Sequence, residues 1–264
     1  MGTSNPALST WRNYYSSMTN DTYFPKTLCN NQVYIKTYIA HQASQSFTEG
    51  LGSTINIMTL SQKENNELHE RVFEAEWDDE GVYFYQAYNE AIADWALEHQ
   101  RFGGPEFKPD RMTWIKPSFA WVLYRSGYGK KHNQTRILKI KLSHDTVSDL
   151  LSQCQCGHGH GGTKGRVQWD PARDLMTSEQ REPRKMMRRR AIQIGLRGSL
   201  SEQYVASTTS IEDVTELAHK VGEAHLSKKC SEAMAELLPE LPTERPYTLK
   251  CNDGVLYNLG LLTN

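Results

Sequence analysis

An α+β fold, organised as a single mixed-sheet domain packed with helices, is predicted by two observations. Segments with the strand period of two and segments with the helix period of 3.6 alternate irregularly between residues 67 and 238, without repeated βαβ units. The chain has 264 residues, is 38% hydrophobic and carries a formal net charge of −1, enough for one sizeable core. Residues 1–66, rich in Ser, Thr, Asn and Gln, are predicted to be a polar, partly flexible extension, and residues 239–264 a C-terminal tail.

The first elements of the domain are predicted to be two strands and a capped helix. VFEAEW at 72–77 and GVYFYQAY at 81–88 indicate strands, the second because aromatic and β-branched residues dominate it. Asn89 then has the position and side chain of a helix N-cap. The apolar face of that helix recurs at i, i+3, i+4 and i+7, with Ile92, Trp95, Ala96 and His99.

A second, shorter helix is predicted over about residues 116–126. Pro117 suits a first helical turn because its φ is fixed and it has no N–H to satisfy, and Gly127 is a natural stop. The apolar residues surround almost the whole circumference, which predicts a buried helix; they are Phe119, Ala120, Trp121, Val122 and Leu123.

The second half of the domain reads as three strands and two further helices. RILKIKL at 136–142 alternates apolar residues with lysines, as in a strand with one solvated face. A short helix at 145–151, a Gly/His loop and strands at RVQW (166–169) and AIQIGL (191–196) follow. An amphipathic helix is marked last by Val214, Leu217, Ala218 and Val221.

The predicted N-terminus of the second helix is the strongest candidate site. Thr113, Lys116 and Ser118 would gather beside unpaired backbone N–H groups, an arrangement that suits a phosphate, a carboxylate or an oxyanion. Arg111, Tyr124 and Arg125 flank it. The alternative is that Lys116 and Arg111 are surface cations and that Ser118 is an ordinary first-turn residue.

Charge is distributed unevenly along the chain. REPRKMMRRR at 181–190 carries six cations against one carboxylate, which favours contact with a nucleic-acid backbone or, alternatively, is a solvated loop. Residues 64–80 hold eight carboxylates, of which Asp79 and Glu80 lead into the aromatic strand and could receive a guanidinium. An ordinary acidic turn is the alternative there.

No cofactor is predicted. Cys154, Cys156, His158 and His160 have the side chains of a zinc site, but four ligands in seven residues are too close to wrap a tetrahedron, which favours a Gly-rich loop. The P-loop, dinucleotide-fold and metalloprotease signatures are absent from the sequence. Five scattered cysteines, no long apolar run and no signal-peptide pattern predict a cytoplasmic protein.

Four segments together resemble a family long known only as a domain of unknown function. They are EGVYFYQAYNEAIADWALEHQRFGG, RMTWIKPSFAWVLYRSGYG, RVQWDPARDL and RRAIQIGLRG. They follow the family's order, and the resemblance covers about residues 70–225. Fungal members with added N-terminal segments resemble arginine-containing cyclodipeptide synthases. The resemblance implies an enzyme of secondary metabolism that takes arginine from arginyl-tRNA and a second amino acid from another aminoacyl-tRNA to make a cyclo-Arg-Xaa diketopiperazine.

That chemistry requires an oxyanion site, a base and a tRNA surface, and the sequence offers candidates for each. The expected catalytic residues are Lys116, Ser118, Tyr85 and Tyr124. Asp170, with Asp79 or Glu80, is expected to bind the arginine guanidinium. The other expected substrate contacts are Asn89, Arg111, Thr113, Trp114, Arg125, Gln168, Gln193 and Arg197. The expected tRNA-binding residues are Lys130, Lys131, Arg184, Lys185, Arg188, Arg189 and Arg190.

Two alternative functions remain open from the sequence. One is a transferase that uses NAD, similar to ADP-ribosyltransferases, and the other is a non-catalytic RNA-binding module. Whether Ser118 carries an acyl group or only donates a hydrogen bond also stays open, because no histidine is placed beside it by the sequence.

Overall fold

The computed structural model describes residues 70–157, 164–176 and 186–262 and shows an α+β fold, which confirms the predicted class. The strands are β1 (Glu74–Ala75), β2 (Gly81–Tyr88), β3 (Thr113–Ile115), β4 (Arg136–Ser143), β5 (Cys154–Cys156), β6 (Gly165–Arg173), β7 (Met186–Leu196), β8 (Thr208–Asp213) and β9 (Arg245–Pro246). The helices are α1 (Glu90–His99), α2 (Phe119–Ser126), α3 (His144–Ser152), α4 (Ser199–Ala206), α5 (Thr215–Leu226), α6 (Cys230–Leu237) and α7 (Asp253–Asn258). The predicted extension, residues 1–66, lies outside the described residues.

Two sheets carry the fold. The first has the order β2-β4-β8 and is antiparallel throughout, and the second has the order β3-β7-β6-β5, with β5 parallel to β6. Tyr85 and Lys116 join them, because each backbone N–H donates to the other residue's carbonyl, at N···O distances of 2.7 and 3.3 Å. Lys116, at the end of β3, is therefore fixed between the two sheets.

The apolar faces of both sheets are buried by the helices, as their period of two predicts. Ile192, Ile194 and Leu196 of β7 are buried together with the apolar residues of β4 and of helices α1, α3 and α4. A second cluster joins α2, α5 and α6 to Tyr85 and Ile137. Residues 239–262 contribute β9, which pairs with β1, and place Leu249 and Leu259 in the core.

Some of the predicted helices and strands agree with the structure, and others differ from it. The strand over 81–88 has the predicted bounds, and Asn89 caps α1 by accepting a hydrogen bond from the Ile92 N–H at 3.0 Å. The strand predicted over 72–77 shrinks to the two residues of β1, which has β9 as its partner. The sequence analysis missed β3, β5, β8, β9, α4, α6 and α7.

Helix α2 differs from its prediction in two ways. It begins at Phe119 rather than near residue 116, because Ser118 has an extended backbone and serves as the N-cap. It is amphipathic rather than buried all round, since Tyr124 and Arg125 are exposed. The exposed side of this helix forms one wall of the pocket described below.

None of the helices in the described part of the chain is long and apolar enough to cross a membrane.

Candidate functional site

A pocket of about 480 Å³ lies where α2 covers the polar face of the four-stranded sheet. Its lining residues are Trp114, Lys116, Trp121, Tyr124, Arg125, Gln168, Asp170, Pro171, Arg173 and Gln193. The volume is in the range that protein sites use for small molecules. Seven of the ten were predicted from the sequence as site residues, although they come from four separate segments.

The register of β6 and β7 explains the polar floor of this pocket. Gln168 on β6 stands directly opposite Gln193 on β7, and the Gln193 Nε2 donates to the Gln168 Oε1 at 3.1 Å. The Gln193 amide also donates to the Asp170 carboxylate. Because side chains alternate between faces along a strand, the apolar neighbours of Gln193 enter the core while its amide faces the pocket.

Two glycines shape the elements that carry the pocket residues, one by its conformation and one by its lack of a side chain. Gly127 ends α2 with φ of 59°, a conformation that other residues rarely adopt, and its N–H returns to the Tyr124 carbonyl. Gly195 on β7 makes room for Trp114, since a Cβ there would stand 3.0 Å from the indole ring. Gly127 therefore ends α2 by its conformation, and Gly195 leaves space for the Trp114 ring.

Lys116 and Asp170 are the titratable pair of the pocket. Burial lowers the pKa of Lys116 to about 8, with Asp170 opposing the shift and Arg125 adding to it. Burial also raises the pKa of Asp170, against the attraction of Lys116, Arg190, Arg125 and Arg173. An amine with a pKa near 8 has a substantial neutral fraction at physiological pH, which suits a proton acceptor.

Aromatic rings hold the cations of the pocket in place. The Arg173 guanidinium lies over the Tyr124 ring, with Cζ 3.6 Å from the ring centroid, and the Lys116 Nζ lies 4.8 Å from the centroid of Trp121. Tyr124 thus acts here as a stacking surface for a cation.

At the α2 N-terminus, the predicted oxyanion site, a carboxylate of the chain itself occupies the first backbone N–H. Glu244, from the segment after α6, accepts the Phe119 N–H at 2.6 Å and is hydrogen-bonded by Ser118. Burial raises the pKa of the Glu244 carboxyl to about 8, and the nearby carboxylates of Glu74 and Glu76 add to the shift.

Ser118 and Tyr85, which were predicted as catalytic, lie outside the pocket lining. Ser118 is 7% exposed, caps α2 through a 3.4 Å hydrogen bond from the Trp121 N–H, and contacts Glu244. Tyr85 is buried against Phe119 and donates its hydroxyl to Glu76 at 2.7 Å. Glu244 is a carboxylate beside Ser118, and neither residue belongs to the pocket lining.

Six predicted substrate contacts also lie outside the pocket lining, each for a local reason. Thr113 is buried in β3, and Asn89 is occupied as the α1 cap and as a donor to Glu106 at 2.8 Å. Glu80 pairs with Lys141 at the start of β2, and Asp79 is exposed beside it. The remaining two, Arg111 and Arg197, are exposed at the same end of the antiparallel β3–β7 pair.

The predicted tRNA-binding cations lie in different parts of the chain, and two of them lie outside the described residues. Arg184 and Lys185 lie outside the described residues, while Arg188, Arg189 and Arg190 are on β7. Arg189 pairs with Glu74, and Arg190 stands opposite the pocket residue Pro171. Lys130 and Lys131 are exposed after α2, where the Lys131 Nζ donates to the Arg125 carbonyl at 2.6 Å. Arg189 is therefore partly neutralised, a contact that the charge count alone does not reveal.

The cysteines considered as metal ligands take separate environments. Cys154 is buried in the core and Cys156 is exposed, both on β5, whereas His158 and His160 lie outside the described residues. Burial raises the pKa of the Cys154 thiol to about 12, which disfavours the thiolate that a metal needs.

The sequence analysis missed Trp121, Pro171, Arg173 and Glu244. Trp121 was assigned to the core, although its spacing of three and four from Tyr124 and Arg125 places all three on one side of α2. Arg173 follows a register irregularity in β6 between Pro171 and Arg173, so a strict alternation does not predict its direction.

Comparison with curated proteins finds no match. A family model does match, over residues 72–247, and it describes a domain of unknown function, DUF4291. The matched segment contains the whole pocket lining and Glu244. The chain belongs to the DUF4291 family.

Proposed function

We propose that the pocket is the active site of an aminoacyl-tRNA-dependent cyclodipeptide synthase that joins arginine to a second amino acid. The supporting observation is the presence of one partly neutral amine, Lys116, and one carboxylate, Asp170, within a single aromatic-walled pocket. The substrates would be arginyl-tRNA and a second aminoacyl-tRNA, and the product a cyclo-Arg-Xaa diketopiperazine of secondary metabolism. A cytoplasmic location follows from the proposed substrates, since charged tRNAs are there.

The proposed reaction uses the activated ester of each aminoacyl-tRNA. The α-amine of one aminoacyl group attacks the ester carbonyl of the other, a C–N bond forms, and the C–O bond between that carbonyl and its own tRNA breaks. Lys116 in its neutral form takes the proton released by the amine and passes it to the departing ribose oxygen, so that Lys116 is neutral again for the second attack. The second amine then attacks the remaining ester, closing the ring and releasing the second tRNA, so no nucleotide triphosphate is consumed.

Asp170 is proposed to bind the arginine guanidinium. Gln193 donates to this carboxylate and orients it, which leaves further lone pairs for the substrate. Burial raises the pKa of Asp170, and a bound guanidinium would offset that cost by supplying an opposite charge. The polar amides of Gln168 and Gln193 would line the same side.

The proposal is tested by mass spectrometry of small molecules from a heterologous host that expresses this chain alone. A new arginine-containing diketopiperazine is expected, and its mass identifies the second amino acid. Soluble, folded protein without a new species would argue against the proposed function.

Asp170→Asn is expected to reduce formation of the arginine-containing product by about ten- to a hundredfold, because a charge-assisted pair contributes about 1.5–3 kcal/mol. The variant keeps the shape of the side chain and its acceptor for Gln193. Purified protein with charged tRNAs provides the rate, and Asp110→Asn, on an exposed turn before β3, is the matched control. Unchanged product formation by Asp170→Asn would remove this carboxylate from the arginine site.

An NAD-using transferase is a second candidate, favoured by the cations Lys116, Arg125 and Arg173 in one pocket. Such a group suits the diphosphate of a dinucleotide. Protection of the chain from thermal unfolding by NAD, without dependence on arginine, would distinguish this alternative.

A further inference from the structure

Arg173 lines the pocket and has a buried hydrogen-bond donor without a partner among the described residues. Its guanidinium is held flat against the Tyr124 ring, and its buried Nε has no hydrogen-bond partner within the described residues. A buried donor without an acceptor is costly, and in native structures such a group often marks the place of a ligand or water. The Tyr124 ring uses the face of the guanidinium and none of its N–H groups.

The charge around Arg173 favours an anionic ligand. Lys116 and Arg125 are the other cations among the described lining residues, and Asp170 is the carboxylate. The Asp170 carboxylate already accepts a hydrogen bond from Gln193, and Arg173 shows no ion pair in the described part of the chain. Three cations against one carboxylate leave an excess of positive charge where a phosphate would be stabilised.

Flat apolar surfaces lie beside these cations. Trp114 and Trp121 contribute indole rings to the same lining, both partly exposed. Aromatic rings of this kind stack on nucleobases without reading their sequence, and the pocket volume of about 480 Å³ is in the range for small molecules. A base and a phosphate at adjacent positions define a nucleotide.

We propose that Arg173, together with Arg125, forms the subsite for the phosphate of the terminal nucleotide of an aminoacyl-tRNA, whose base stacks on the indole rings. This inference rests on the proposed function. In an aminoacyl-tRNA the amino-acid carboxyl group is esterified and uncharged, so the anion nearest to the reacting ester is the phosphodiester of the last nucleotide. Asp170 and Arg173 then divide the pocket into a site for the cationic amino acid and a site for the nucleotide.

The subsite is tested by direct binding, which does not require turnover. The probes are a CCA trinucleotide, adenosine and NAD, and quenching of tryptophan fluorescence on the purified full chain gives each dissociation constant. The unmodified chain is expected to bind the trinucleotide at least about tenfold more tightly than adenosine, because only the trinucleotide carries phosphates. Equal affinity for the trinucleotide and for adenosine would overturn the proposal of a phosphate subsite.

Two variants identify the residues responsible. Arg173→Gln is expected to weaken trinucleotide binding by about tenfold or more and to change adenosine binding less than about twofold. Arg125→Gln, at an exposed position of α2, is expected to weaken trinucleotide binding severalfold, and it provides the same test if Arg173→Gln fails to fold. Arg101→Gln, exposed after α1, is the matched control. Trinucleotide affinity unchanged in both pocket variants would overturn the inference.

The outcomes separate the subsite from the proposed function. Trinucleotide binding that depends on Arg173, in a chain that makes no diketopiperazine, would support the subsite and count against the synthase. A chain that makes a diketopiperazine but binds the trinucleotide equally well with and without Arg173 would support the synthase and count against the subsite. NAD binding that depends on Arg173, without trinucleotide binding, would overturn the assignment to tRNA.

Discussion

Replacing Lys116 with methionine is expected to abolish cyclodipeptide formation and, at the same time, to stabilise the fold at neutral pH. The loss of product follows from the proposed role of the neutral amine as proton acceptor, since positioned general bases contribute about 10²–10⁴-fold to rates. Methionine retains the length and apolar stem of lysine, so the contact with Trp121 is conserved in shape. The measurement is the initial rate with purified, charged tRNAs.

The gain in stability follows from the lowered pKa of Lys116. Burial holds the pKa at about 8 in the folded chain, against 10.5 in the unfolded chain. Between these values the unfolded chain binds more protons than the folded chain. The free energy of unfolding of the unmodified chain, called the parent below, therefore rises with pH from 8 to 10.5. Below pH 8 the buried charge costs the fold on the order of 1–3 kcal/mol, which the methionine variant avoids.

Thermal unfolding at pH 7 and at pH 10.5 checks this expectation. The methionine variant should have the higher midpoint at pH 7, and the difference should shrink at pH 10.5. Lys228→Met, at an exposed position after α5, is the control and should change neither the rate nor the midpoint. A Lys116→Met chain that still makes product would exclude the amine as the base.

The same pH dependence should appear in the parent's reaction. The rate is expected to increase as pH rises through about 8, because the neutral fraction of Lys116 increases there. A flat rate profile between pH 6.5 and 9 would argue against Lys116 as the proton acceptor.

Residues that share a face with a strongly periodic apolar pattern could be predicted from the sequence. The buried Ile192 and Ile194 of β7 fix Gln193 on the opposite face, and the antiparallel partner of that strand brings Gln168 beside it. Pro117 and Gly127 likewise located α2 to within a few residues. The local sequence pattern therefore identified many of the lining residues of the pocket. It did not identify the contacts between the segments that carry them.

The contacts that were missed depend on long-range packing or on irregular backbone. Glu244 reaches the α2 N-terminus from 125 positions away in the chain, and nothing in the Pro117 segment indicates that its N–H group is already occupied. Arg173 turns toward Tyr124 after an irregularity in β6, where a period of two no longer applies. Ser118 looked catalytic for a related reason, because capping and catalysis favour the same side chain.

Glu244→Gln is expected to remove a pH dependence of several kcal/mol from the stability of the fold. Burial raises the pKa of Glu244 to about 8 in the folded chain, against 4.5 when unfolded, and the carboxylates of Glu74 and Glu76 act in the same direction. The protonated form therefore stabilises the fold in full below pH 4.5, and this contribution is lost as pH rises to about 8. Glutamine keeps an acceptor for the Phe119 N–H and has no proton to lose.

Urea unfolding at pH 5 and pH 8.5 measures the effect. The parent should lose more stability than the glutamine variant between these two values, while Glu236→Gln, exposed on α6, should follow the parent. Glu244→Ala should be destabilised at both pH values by about 1–3 kcal/mol, because the Phe119 N–H then lacks its acceptor. Parallel pH profiles for the parent and Glu244→Gln would show that this carboxyl does not titrate in the folded chain between pH 5 and 8.5.

A loss of pocket function should accompany the alanine change, because α2 carries Trp121, Tyr124 and Arg125. Glu244 contacts only the start of that helix, so it acts by positioning the wall rather than by touching substrate. In Glu244→Ala the affinity for substrate is expected to fall more than the maximal rate, since Lys116 is held separately by its backbone pair with Tyr85. An equal fall in both would instead indicate that the anchor of α2 also sets the position of Lys116.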